Sequence, residues 1–323
     1  MEDYLQDLID RMNGSRDLPL APGHSSSESA SWAAFREAEQ ISDTNFIPLL
    51  THFIGSEKTA QKRDRAYFIL GHIARNTGNT DITTFLISRI VKEDNRYVCA
   101  TLLDMIAPLE KPAGTDLSPL INATQSSTWQ VRQSAIKALG NCNSDEATQA
   151  LLEIIENSHD EYDLIYANAA IATSGNKACI PALMKLVDHK KQAVSGTALH
   201  AILALSDDSL LPFFTSQLEQ GKNKFTALTG VVRYGNESAI APIIKRVKQL
   251  LAKQRAVEAI DSSGKTEIII ALEFLVRYAP EHPPIKKLYE LLRHQKYDLL
   301  WDNEKKWLHT YRHHFETIKH YNT

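Results

Sequence analysis

Trp129-Gln130-Val131-Arg132-Gln133-Ser134-Ala135-Ile136-Lys137-Ala138-Leu139-Gly140 reads as one helix with its own stop signal. Val131, Ala135, Ala138 and Leu139 stand three and four residues apart, the spacing that lines one face of an α-helix. The glycine that follows is a helix terminator. Small residues in the register of Ala135 recur along the chain at Ala66, Cys99, Ala167, Ala198, Ala227 and Ala271. Taken in order with Ala135, the seven positions are 33, 36, 32, 31, 29 and 44 residues apart. A period of about 30–40 residues, each holding two apolar-periodic helices, is the signature of a stacked helical repeat.

Working outward, each repeat follows one plan. A first helix opens near a proline, as in Ile47-Pro48-Leu49-Leu50, Leu117-Ser118-Pro119-Leu120, Ile180-Pro181-Ala182-Leu183, Leu211-Pro212-Phe213 and Ile240-Ala241-Pro242-Ile243. Proline suits a first turn because that N–H has no partner within the helix. A second helix follows a short polar turn, and many end at Gly or Asn: Gly78, Gly140-Asn141, Gly175-Asn176 and Gly235-Asn236. These are read as stops that tolerate a left-handed backbone. The fold expected is all-α, an α-solenoid of about seven stacked antiparallel helix pairs with helical caps. Residues 1–30 read as one amphipathic helix followed by a flexible linker around Pro19, Pro22, Gly23 and Ser25-Ser26-Ser27. Residues 31–282 carry the repeats, with the first helix of the last one expected to reach about Ile260. Residues 283–323, rich in aromatics such as Trp301, Trp307, Tyr311 and Phe315, read as a terminal cap.

The proline-led first helix and the Val-Arg-x-x-Ala-x-x-Ala-Leu-Gly second helix resemble the HEAT-repeat family, in particular its short bacterial form. The likeness covers roughly residues 44–280 and is strongest over Trp129–Gly140. It implies a right-handed superhelix with second helices lining the concave side, and it implies no particular chemistry.

Composition narrows the function classes. The 323 residues are 43% hydrophobic with a formal charge of −3, so the surface as a whole is not built for nucleic acid. The charge is uneven: residues 1–160 hold 14 Lys/Arg against 22 Asp/Glu, and the rest hold 22 against 17. Cys99, Cys142 and Cys179 are widely spaced, which fits a reducing compartment. No run reaches the ~18 apolar residues of a membrane span, and the N-terminus lacks a signal-peptide core. A cytoplasmic protein with no membrane partner and no cofactor is expected.

Three chemical motifs fail on spacing. Gly264-Lys265-Thr266 lacks the earlier glycine of a phosphate loop, position 259 being Ala, and it follows a predicted helix instead of a strand. His309 and His313 are four apart and Glu316 is three further on, but no Glu follows His309 as a zinc-peptidase helix requires. No Gly-x-Ser-x-Gly elbow is present. Arg63, Arg96 and Arg132, with Lys224, stand three residues before the recurring small residue, and the arginines are read as a structural ladder between repeats.

Taking 131, 135, 138, 139 and 142 as the buried stripe leaves 130, 133, 134, 137 and 141 facing outward. Projected onto the neighbouring repeats, that register gives Tyr97, Gln133, Lys137, Tyr166, His200, Thr229, Arg233 and Arg277, with Trp129 at the rim. Aromatic and Arg-rich, this is the composition of a protein-binding groove. The function expected is a non-enzymatic scaffold for another protein: an adaptor, an assembly factor or an immunity protein that blocks a toxin. The alternatives are a HEAT-like DNA-binding protein or alkylpurine DNA glycosylase, for which Trp129, Tyr166 and Asp163 are the relevant residues, and a chromophore lyase.

Overall fold

The structure is a computed structural model that describes residues 2–18, 25–255, 260–279 and 281–315. It contains two compact units, residues 1–185 and 186–323. Among the described residues there is no β-strand, only two isolated bridges.

The first unit holds α1 (Glu2–Met12), α2 (Ala30–Glu39), α3 (Phe46–Ser56), α4 (Ala60–Thr77), α5 (Thr80–Arg89), α6 (Arg96–Ile106), α7 (Ser118–Ala123), α8 (Trp129–Ala138), α9 (Asp145–Asn157), α10 (Glu161–Ser174) and α11 (Ile180–Met184). Short polar turns fold each first helix back on its second helix, so α3 packs on α4, α5 on α6, α7 on α8 and α9 on α10. The second helices form their own layer, α4 against α6, α6 against α8 and α8 against α10. This is an α-solenoid arrangement. The core runs along the layer through Ala66 and Leu70, Leu102 and Leu103, Ala135 and Ile136, and Ala167 and Ile171, all buried.

Local sequence sets the helix ends. Asn79, Asn95 and Asp160 each accept hydrogen bonds from two backbone N–H groups of the helix they precede, satisfying donors that have no intrahelical partner. At the end of α4, Gly78 adopts the left-handed backbone expected of it, φ 67°. At Gly140-Asn141 it is Asn141 that takes positive φ. Gly175 and Gly235 differ from the expectation: both end their helices with extended backbone. At Gly235 the constraint is crowding, because a Cβ there would stand 2.2 Å from the Val231 carbonyl oxygen.

α1 packs on α2 and α4 through Leu5, Leu8, Ile9 and Met12. Arg11 holds it there by donating to both oxygens of Glu37 at 2.8 and 3.1 Å. Within the stretch read as a linker, Ser26–Glu28 forms a capped 3-10 turn, while residues 19–24 lie outside the described residues.

The second unit holds α12 (Gln192–Leu205), α13 (Leu211–Gln220), α14 (Lys224–Tyr234), α15 (Ile240–Leu250), α16 (Glu267–Leu275), α17 (Pro283–His294) and α18 (Asp302–Thr310). Here α13 packs on α14 and α15 on α16, with α12, α14 and α16 in one layer. α15 ends at Leu250, short of the Ile260 expected, and residues 256–259 lie outside the described residues. α17 touches α15 and α18 touches α16, so the aromatic-rich end extends both layers. Residues 316–323, including Glu316, lie outside the described residues.

Candidate partner-binding residues

The second helices of the first unit start at nearly constant intervals, which sets their first turns side by side along one edge. Tyr97, Trp129 and Tyr162 occupy those turns in α6, α8 and α10, 32 and 33 residues apart. They are 57%, 58% and 57% exposed. Tyr97 is backed by the Arg96 guanidinium, 4.8 Å from its ring and bonded to its hydroxyl at 2.9 Å. Tyr162 lies 6.5 Å from Tyr166. Sequence reasoning missed Tyr162, although the 33-residue step from Trp129 signals it.

Behind this edge, Lys137 bridges three helices. It forms an ion pair with Asp104 of α6, and its ammonium lies 5.2 Å from the Tyr166 ring of α10. The expected neighbours Lys137 and Tyr166 are thus brought together. Gln133 is not part of the face: it is only 7% exposed, and Ser134 and Ile136 are buried with it. The reason is that α6 and α10 cover α8 on both flanks while α7 covers a third. A single helix's periodicity shows one buried stripe and cannot register three.

Of the three arginines read as a ladder, two bond a carboxylate of the next repeat. Arg63 donates to Glu93 at 2.9 and 2.7 Å and to the Lys58 carbonyl at 2.8 Å. Arg132 donates to Asp163 at 2.8 Å, to Asp160 at 3.4 Å and to the Ser126 carbonyl at 3.1 Å. Each spans to the next repeat. Arg96 does not: it is exposed and stacks on Tyr97. Arg63 and Arg132 are the fourth residues of α4 and α8, but Arg96 is the first of α6. Aligned by helix start, Cys99 occupies the arginine position and Leu102 the small-residue position. In the second unit the fourth residue of α12, Ser195, accepts from the Asn223 amide at 2.8 Å, a shorter polar version of the same link. Lys224 bonds only the Glu219 carbonyl at 3.0 Å among the contacts described.

Asp163, the carboxylate of the glycosylase alternative, is buried and engaged by Arg132. Of the second-unit residues, His200, Arg233 and Arg277 are all exposed. Arg233 lies 5.5 Å from the Tyr234 ring and Arg277 5.8 Å from the Phe274 ring. Thr229 is half-buried and bonds the Phe225 carbonyl.

Two buried titratable groups complete the picture. Burial pushes the Cys99 thiol up to about 11, which keeps it protonated and unreactive. Lys111 is buried and donates to the carbonyls of Ala107 at 3.1 Å and Gly140 at 2.7 Å, stapling the C-terminal ends of α6 and α8. Burial lowers its ammonium to about 8. Among the described residues no group of three metal-ligating side chains gathers, and no helix is long and apolar enough to cross a membrane.

With the paired helices and inter-repeat rungs in view, comparison with known proteins agrees with the geometry. The family model for HEAT repeats matches residues 83–167, from α5 into α10. The matched stretch includes Tyr97, Trp129, Tyr162, Lys137 and Tyr166. The crystal structure of an engineered protein is similar at 16% identity with a TM-score of 0.47, over 96% of this chain and 88% of that one. The search for curated relatives gave no match.

Proposed function

We propose that the protein is a non-enzymatic scaffold that binds another protein along the edge formed by Tyr97, Trp129 and Tyr162, with Lys137 and Tyr166 behind it. The observation that carries the reading is the repetition of a half-exposed aromatic on three successive first turns. Packing does not require these rings to stand in water, and large aromatics are the residues that most often anchor protein interfaces. The acidic balance of residues 1–160 favours a cationic partner surface. The specific form proposed for this scaffold is an adaptor, an assembly factor or an immunity protein that blocks a toxin. Asp163 is buried with its Oδ2 held by Arg132, a structural ion pair that argues against the glycosylase alternative.

The test is affinity capture with the full chain and with a Trp129→Ala/Tyr162→Ala variant, supplemented by Tyr166→Ala and Arg233→Ala. Partners lost by the double variant while helicity and melting stay unchanged support the edge. Equal recovery of every partner, or tight and steeply salt-dependent binding to duplex DNA, would sink the reading.

A further inference from the structure

In the second unit, α17 and α18 face one another across a cavity of about 270 Å³. Its lining is rich in basic side chains. Arg293 comes from α17, Lys305 and His309 from one stripe of α18, and Arg312 from the turn that follows. Among the described residues no carboxylate lines it. Leu308 forms an apolar floor, and Tyr289 and Tyr297 form the aromatic walls.

The walls differ in kind. Tyr289 is buried and stacked on Phe315 with ring centroids 4.5 Å apart and planes 3° from parallel, so it is a fixed surface. Tyr297 is 43% exposed, with the Lys305 ammonium 5.5 Å from its ring. The carboxylate paired with Lys305 is Asp302 at 3.8 Å, fully in water and too loosely held to neutralise it. Bringing the Lys305 ammonium and the Arg312 guanidinium to one small space, with no lining carboxylate among the described residues, raises the local positive potential. That arrangement favours an anion at the centre. Arginine and lysine together are the usual means of holding a phosphoryl group.

We infer that this cavity binds a phosphate monoester carried on a single planar ring, the phosphoryl group meeting Lys305, His309 and Arg312 and the ring lying between Tyr289 and Tyr297. The size supports a small ligand, since the volume lies just below the range of about 300–1,000 Å³ common for ligand sites. The site is separate from the aromatic edge of the first unit and stands independently of the scaffold reading.

The experiment is calorimetric titration of the full chain with phenyl phosphate, with phenol and inorganic phosphate as controls. Saturable binding of phenyl phosphate is expected, at least tenfold tighter than inorganic phosphate and absent for phenol. Lys305→Ala and Arg312→Ala should each weaken it by about tenfold or more, as loss of a charge-assisted contact does. Lys287→Ala, on α17 but outside the lining, should leave it unchanged. Pyridoxine 5′-phosphate and O-phosphotyrosine amide then distinguish a free heteroaromatic phosphate from a phosphorylated aromatic side chain as the source. No saturable binding at 10 mM (an upper limit of about millimolar affinity), equal binding of inorganic phosphate, or indifference to both substitutions with helicity intact overturns the proposal.

Discussion

Arg255 and Glu304 form a two-pronged ion pair in the second unit, with Nη1 and Nη2 donating to Oε1 and Oε2 at 2.7 and 2.6 Å. Glu304 is fully buried and also accepts from the Thr266 hydroxyl at 2.6 Å and the Trp301 backbone N–H at 3.0 Å. The guanidinium lies 3.9 Å from the Trp301 ring. Removing one member of such a pair strands a buried charge. Glu304→Ala should therefore destabilise the second unit by about 3–5 kcal/mol. Urea unfolding followed by tryptophan fluorescence checks this, and a loss below about 1 kcal/mol would show that the pair is dispensable.

The ladder makes a paired prediction. Arg132→Ala removes bonds to two carboxylates and a carbonyl and leaves Asp163 buried without its cation. A loss of about 1–3 kcal/mol is expected. Arg96→Ala, on an exposed side chain, should stay within about 0.5 kcal/mol. Equal effects in chemical denaturation would contradict the register assigned by helix start.

Lys111 gives a pH dependence whose sign is opposite to that of an ordinary surface pair. Its ammonium is lowered by burial from 10.5 to about 8, so between those values the unfolded chain binds more protons than the folded one. This group's contribution to stability therefore rises with pH across that window, by a total on the order of 3 kcal/mol. Below about pH 8 both states are protonated and the cost is present in full. Lys111→Met should remove that rise, seen as a stability difference from the parent that changes between about pH 8 and 10 and is flat between about pH 6 and 7.5. A difference that is flat throughout would mean that burial does not lower the Lys111 ammonium.

Two glycines separate crowding from chain entropy. A Cβ on Gly230 would stand 2.5 Å from the ring of Phe214, which is fully buried. Gly230→Ala is expected to cost about 1–3 kcal/mol despite alanine's helix preference. Gly55 in α3 has nothing within 4 Å of such a Cβ, and Gly55→Ala should stabilise by about 0.5–1 kcal/mol. Thermal melts of both variants give the comparison, and matching signs would refute it.

The helix pairs were legible because burial in a stack forces the same apolar spacing on every copy, as at Ala66, Ala135, Ala167 and Ala198. The register slipped at α6, where Cys99 was taken for the small residue. The starts of α4 and α6 are 36 residues apart, against 33 from α6 to α8 and 32 from α8 to α10, so the ordinary step from Ala66 lands on Cys99 and only the helix start reveals Leu102. Gln133 was misplaced for a different reason: its burial depends on α6 and α10, which its own sequence does not describe. The basic cavity was hidden for the same reason, since Arg293 and Lys305 come from facing helices. The spacing of His309 and His313 alone points to a metal pair, and of the two only His309 lies in α18.

The links between α6 and α8 are distributed unequally along their length. At the C-terminal ends Lys111 reaches Gly140, Asn141 reaches Ala107, and Lys137 pairs with Asp104. At the N-terminal ends the fourth residue of α6 is Cys99 in place of arginine, and positions 126 and 127 are serines in place of an acidic acceptor. The two helices are thus riveted at one end, like the ribs of a fan. A sideways load on this step is resisted at the rivets and taken up at the opposite margin, so the spacing between Tyr97 and Trp129 is the dimension that yields first.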